Sequence, residues 1–166
     1  ALLPEPVVEG VDVFPVIFIR HPIDRLASAY RFERRQKADT FGARLARETD
    51  FSGYVRALLD RPGNGVARNF QALRLAFGSP DTTGSDLDRA LRTMERLPFV
   101  GLVEAYEASL VELERLLAPI HPGFRATAYT KNVSRDGADS LAGRLEAIEA
   151  ELGPELYARL MEANAA

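Results

Sequence analysis

The hydrophobic pattern changes period several times along the chain, and each change marks an element. "FPVIFI", residues 14–19, is short, apolar throughout and rich in β-branched and aromatic side chains. Such a run predicts a strand buried on both faces, as in a parallel sheet, with Pro15 tolerated near its start. Pro22 follows two residues beyond Ile19 and suits the first helical position, where its missing N–H costs nothing. Ile23, Leu26, Ala27 and Tyr30 then recur at i, i+3, i+4 and i+7, which predicts a helix to about Lys37. Strand, two-residue turn and helix make the order of an α/β unit.

Downstream, helices dominate. Within residues 40–62, "DFSGYVRALLD" predicts a helix capped by Asp50 or Ser52 and stopped by "RPGNG". "VARNFQALRLAF" predicts a second, ended by "GSPDTTGS". In "SDLDRALRTMERL", Ser85 stands three residues before Asp88, an N-cap signature, and Leu87, Ala90, Leu91 and Met94 fit one face. "PFVGLVE", residues 98–104, reads as the second strand. The helix "AYEASLVELERLLAPI" follows it directly, with a stripe of Leu110, Leu113, Leu116 and Leu117. "HPGFRATAYTKNVSRDG" reads as a loop with a short strand at 124–129. Helices at about 137–152 and 154–163 close the chain, punctuated by Gly153 and Pro154. Residues 1–13 form an extended, proline-punctuated lead-in without an initiator methionine, and a truncated N-terminus is expected.

Composition narrows the partners. With 166 residues the simplest organisation is one domain, two small ones being left open. The net charge of −3 and a pI near 5.5 supply no basic field for nucleic acid or an anionic membrane, so any anion site is a local pocket. No apolar run approaches the roughly 18 residues of a membrane span. Cysteine is absent, which rules out disulfides and thiolate metal sites and fits the cytoplasmic location expected here.

The candidate chemistry gathers after the first strand. Ligands of open α/β sheets sit beyond the carboxyl ends of the strands, and Arg20 stands there. Its guanidinium offers five donors in a rigid fork suited to phosphate or sulfate. The next helix adds free N–H groups and a positive dipole end. Ser28 lies one and a half turns up that helix, off the apolar stripe and in line with Asp24 and Arg31. An arginine at the strand tip and a hydroxyl on the helix flank can grip one phosphate; the plain alternative is a solvated arginine and a tolerated helical serine.

"IRHPIDRLASAY" resembles the 3'-phosphate-binding segment of sulfotransferases, in which a strand-ending arginine and a serine eight residues later hold the 3'-phosphate of 3'-phosphoadenosine 5'-phosphosulfate. The wider pattern Arg-x-Pro-x-x-Arg-x-x-Ser-x-Tyr of the carbohydrate-type (family 2) branch is met by Arg20, Pro22, Arg25, Ser28 and Tyr30. "NFQALRL" at 69–75 is similar to the family's Asn-x-Gln segment. "LPFVGLVEAYEASLVELERLL" is similar to its Phe-Val-Gly-Leu-x-Glu strand and following helix, "NVSRDG" at 132–137 to its Asn-Val-Ser segment, and "PELYARL" to its closing Leu-Tyr helix. The resemblance implies a three-layer α/β domain of the P-loop NTPase type with a parallel sheet, here helix-rich and without its first strand. It also implies sulfuryl transfer to a hydroxyl acceptor, a carbohydrate by analogy, with no metal required. Lys131 and Arg135 would add charge near the 3'-phosphate.

The departures are equally specific. The family's Pro-Lys-x-Gly-x-Thr/Ser loop, which holds the 5'-phosphosulfate, has no counterpart. "DRPGNGVAR" at 60–68 is the Gly-rich candidate, and it lacks the lysine and a preceding strand. The general base of the family would also fall before residue 1, so the expectation is the C-terminal two-thirds of a sulfotransferase with its catalytic base unassigned. Two rivals remain: a non-catalytic remnant binding nucleotide or protein, and a nucleotide kinase relative with a degraded phosphate loop. Around the motif, His21 is expected to cap the helix, Arg25 to pair with a carboxylate at the sheet edge, and Tyr30 and Phe32 to pack in the core. Glu104 is expected to bond donor or acceptor, or to pair with Arg25 or Arg20. His121, in a Pro-Gly turn, is not expected to bind metal. The basic "RFERRQK" at 31–37 reads as a favourable helix C-terminus or a surface for an anionic acceptor.

Overall fold

A computed structural model of the chain describes residues 9–128 and 140–165. In chain order the elements begin with β1 (Val16–Ile19), α1 (Pro22–Arg35), α2 (Phe41–Glu48), α3 (Phe51–Asp60) and α4 (Phe70–Phe77). They continue with α5 (Asp86–Arg96), β2 (Phe99–Leu102), a 3-10 turn (Val103–Ala105), α6 (Tyr106–Leu117), α7 (Leu141–Leu152) and α8 (Pro154–Glu162). This is a helix-rich α/β chain with a small parallel sheet, and its described residues form two compact units: 9–20 with 71–128, and 21–70 with 140–165.

In the first unit β1 and β2 pair in parallel, with Val16 opposite Phe99, Phe18 opposite Gly101 and Ile19 opposite Leu102. Parallel strands need a long crossover, and nearly eighty residues separate these two. Gly101 is dictated by packing: a Cβ there would lie 2.5 Å from a ring carbon of Phe18 and 3.0 Å from one of Phe99. The Phe18 ring covers the glycine and meets Phe99 edge-on at 5.8 Å and Tyr106 at 5.2 Å. Phe99, Leu113 and Leu117 form the buried centre, flanked by Phe14, Phe18, Leu116 and Phe124. The α6 stripe thus faces β2 as its periodicity predicts.

β1 is shorter and wetter than a strand buried on both faces: Val16 is 40% exposed and the other three residues are half-buried. Among the described residues β2 is its pairing partner. No strand forms over 124–128, where a turn from His121 to Phe124 closes instead; Tyr129 lies outside the described residues. α5 starts as its sequence predicts, in a capping box of Ser85 and Asp88. Its buried face is Ala90 and Thr93, whereas Leu87 and Leu91 are exposed. Gly78, just past α4, lies against this face: a Cβ there would stand 3.4 Å from Thr93 Cγ2. The Thr93 hydroxyl is satisfied within its own helix by donating to the Arg89 carbonyl at 3.0 Å.

In the second unit α1 is the central helix. Ile23, Leu26, Ala27 and Tyr30 are buried on the predicted face, in one core with Phe51, Tyr54 and Leu58 of α3 and Ile148 and Leu160 of the closing helices. α1 ends at Arg35, close to the expected Lys37. The 40–62 stretch holds two helices, α2 capped by Thr40 and α3 capped by Asp50, whose carboxylate accepts from the Gly53 N–H at 2.7 Å. The expected helix from Val66 begins only at Phe70, because Asn69 sits at φ 43°, a left-handed conformation that asparagine tolerates better than most residues. The Asn69 N–H donates to Asn164 Oδ1 at 2.9 Å, and Asn164 Nδ2 donates to the Ala67 and Leu160 carbonyls, so a residue just past α8 fixes this turn.

Two outcomes follow. Gly101→Val should lower the free energy of unfolding by about 1–3 kcal/mol through overpacking against Phe18, read by urea denaturation. Asp88 is held below its ordinary carboxylate range by the hydroxyl and backbone N–H of Ser85. Its stabilising effect is therefore complete above the unfolded value of 3.8 and fades as pH falls through the lower folded value. The stability gap between the wild type and Asp88→Asn should accordingly shrink in denaturation curves taken from neutral pH down to strong acid.

Candidate functional site

Arg20 is the residue after β1, half-buried at its carboxyl end. The ladder reaches Ile19 opposite Leu102, so the Arg20 peptide groups need another source of hydrogen bonds. Gln71, in the first turn of α4, provides it: the Arg20 N–H donates to Gln71 Oε1 at 2.9 Å, and Gln71 Nε2 donates to the Arg20 carbonyl at 2.5 Å. One carboxamide thus satisfies both sides of one residue. Ser109 of α6 does the same for the last residue of β2, accepting from the Leu102 N–H at 3.0 Å and donating to its carbonyl at 3.3 Å. Neither role is readable from periodicity; the only signal for Gln71 was its place in the Asn-x-Gln segment.

The other motif residues lie in the second unit. His21 is the N-cap residue of α1 by position, yet its side chain makes no cap hydrogen bond, and Pro22 opens the first turn as predicted. Asp24 is completely buried and accepts from Arg144 Nε of α7 at 3.2 Å, so this carboxylate is a structural ion pair. Arg25 donates through Nη2 to the Val66 carbonyl and lies 4.2 Å over the Phe70 ring. It ties α1 to Val66 and to Phe70, the first residue of α4, a structural role as expected. Tyr30 is buried, donates its hydroxyl to the Thr49 carbonyl at 3.0 Å, and sits 5.2 Å from both Phe51 and Tyr54. Phe32, expected in the core, is 58% exposed.

Ser28 is half-buried on the flank of α1, away from the stripe. It and Arg20 belong to different units, so each is placed on its own. Lys131 and Arg135, with the whole "NVSRDG" segment, lie outside the described residues. Glu104 is exposed on the 3-10 turn after β2. In the basic run ending α1, Arg34 donates to the Tyr30 hydroxyl at 3.1 Å, while Arg35 and Lys37 are exposed.

Electrostatic perturbation elsewhere is structural. Burial pushes the Tyr54 phenol up to about 12, with Glu33 adding to the shift, so it stays neutral and serves the core. A cleft of about 450 Å³ in the second unit is lined by Phe41 and residues 61–66, and the Arg61 guanidinium lies 4.2 Å over the Phe41 ring. This is the Gly-rich "DRPGNGVAR" stretch. It follows α3 and not a strand, and neither Arg20 nor Ser28 lines it.

No family model matches the chain, and no solved structure matches it. An uncharacterized protein of Archaeoglobus fulgidus is 40% identical over 159 residues, an alignment covering 93% of this chain and 62% of that relative. The chain thus spans less than two thirds of the length of the curated relative it matches.

Arg25→Lys keeps the charge but not the planar fork that stacks and hydrogen-bonds together. It should cost about 1–2 kcal/mol of stability, seen as a lower denaturation midpoint at unchanged slope.

Proposed function

We propose that this chain binds 3'-phosphoadenosine 5'-phosphosulfate and serves sulfuryl transfer to a hydroxyl acceptor, a carbohydrate by the family resemblance. Arg20 and Ser28 each bond the donor's 3'-phosphate. Their assignment to one phosphate comes from the eight-residue spacing of the motif they share with sulfotransferases. They select the 3'-phosphorylated nucleotide over ATP and set its register, which is positioning and not bond-breaking. Lys131 and Arg135 add positive charge toward the same group.

In the reaction the acceptor oxygen forms a bond to sulfur while the bond from sulfur to the 5'-phosphate oxygen breaks. Adenosine 3',5'-bisphosphate leaves with the electron pair, and the acceptor proton passes to a base. The proposal gives these 166 residues the 3' end of the donor; it assigns none of them as that base or as the holder of the 5'-phosphosulfate. The observation that carries the reading is Arg20, standing at the carboxyl end of a parallel strand with its peptide groups pinned, immediately before a helix opened by Pro22.

Competition binding tests it. The chain should prefer adenosine 3',5'-bisphosphate to ATP, and Arg20→Ala should weaken bisphosphate binding about 10- to 100-fold, as expected for a hydrogen-bonded charge. Ser28→Ala should weaken it less. Equal affinities for the two nucleotides would overturn the reading in favour of a kinase relative. Absence of any nucleotide binding would overturn it in favour of a protein-binding remnant.

A further inference from the structure

Gln71 holds both peptide groups of Arg20, accepting from its N–H and donating to its carbonyl. We infer that Gln71 is a positioning residue for the anion held by Arg20: its carboxamide stands in for a neighbouring strand and fixes the backbone from which the guanidinium reaches. This rests on the proposed 3'-phosphate reading and deepens it.

β1 pairs with β2 only as far as Ile19, so nothing in the ladder sets φ and ψ at Arg20. A carboxamide that accepts from the N–H and donates to the carbonyl of one residue restrains both torsions, and with them the direction of the Cα–Cβ bond. α4 delivers that carboxamide from its first turn. Without the clamp, the backbone at Arg20 samples several wells, and an anion has to order it on binding; fixing one residue is an effect of roughly tenfold or somewhat more in affinity. A residue that merely stabilised the fold would weaken all ligands alike. A positioning residue weakens only those that carry the anion Arg20 holds.

The test therefore compares two nucleotides that differ in that one group, adenosine 3',5'-bisphosphate and adenosine 5'-monophosphate, in the wild type, Gln71→Leu and Gln71→Glu. Gln71→Leu should reduce the preference for the bisphosphate by roughly tenfold, leave monophosphate binding unchanged, and speed hydrogen exchange of the Arg20 amide. Gln71→Glu keeps the acceptor for that amide but loses the donor to the carbonyl. It should retain amide protection and still lose part of the preference, which keeps the inference testable should the leucine variant unfold. Full wild-type preference in both variants would overturn the positioning role while leaving the 3'-phosphate reading intact. A wild type without any preference for the bisphosphate would overturn that reading itself, and the positioning role with it.

Discussion

A β-strand that stops leaves peptide groups with no ladder to join, and the first unit is arranged around meeting that need at one end of its two-stranded sheet. Gln71 supplies both bonds at Arg20, and Ser109 supplies both at Leu102. Each such bond contributes only about 1 kcal/mol net, but leaving a buried peptide group unpaired costs about 1–3 kcal/mol, so the requirement is stronger at half-buried Arg20. Leu102 is 47% exposed, and there water can take the place of Ser109. Both strands are closed at their carboxyl ends by side chains from helices, which is also where an α/β sheet offers ligands its surface. The contact that ends β1 also holds the backbone of Arg20, the candidate residue.

The second unit solves a different problem. α1 buries an apolar stripe and also a carboxylate, Asp24, which would be untenable in a core without a cation beside it. Arg144 of α7 reaches it at 3.2 Å from a partly exposed position, and Arg25, the next residue, fastens α1 to the Val66 carbonyl and the Phe70 ring. A purely apolar interface tolerates sliding of one helix along another. A buried charge with its partner on α7 accepts one register, because any slip separates the pair in a medium that screens it poorly. Tyr30 works in the same direction, its ring in the core and its hydroxyl fixed on the Thr49 carbonyl where α2 gives way to α3.

How much of this could be read from the residues depends on how local each cause is. Pro22 as a helix opener, the Ser85–Asp88 capping box, the α6 leucine stripe and the Gly153–Pro154 break are decided within four residues, and all stand as expected. The late start of α4 is decided by Asn164, which lies 95 residues further on, and no local pattern announces it. α5 shows the limit of hydrophobic periodicity. Its leucines suggest one inner face, but the residues buried are Ala90 and Thr93, with Gly78 close to Thr93. Phe32 failed for a related reason: it lies next to the stripe of α1 but not on it, and aromatic character alone does not bury a residue. At the candidate site, the position of Arg20 was legible and the device that holds it was not, because a glutamine clamp has no periodicity.

The structure also changes what the motif is worth as evidence. Five residues matched the Arg-x-Pro-x-x-Arg-x-x-Ser-x-Tyr pattern, and three now have a sufficient reason in the fold. Pro22 starts α1, Arg25 bonds the Val66 carbonyl and stacks on Phe70, and Tyr30 fills the core while bridging to α2 and α3. A helix packed in this way would keep those three whether or not a nucleotide ever bound. They carry no weight for chemistry. Arg20 and Ser28 are different: their part in chemistry is given by the motif, and the fold supplies the clamp on the Arg20 backbone. The case for a 3'-phosphate therefore rests on two residues, not five, and on a glutamine whose hydrogen bonds would serve an alanine at position 20 equally well. That last point is what makes Gln71 informative. It restrains a backbone for the sake of whatever side chain grows from it, so its effect on binding reports directly on what the guanidinium holds.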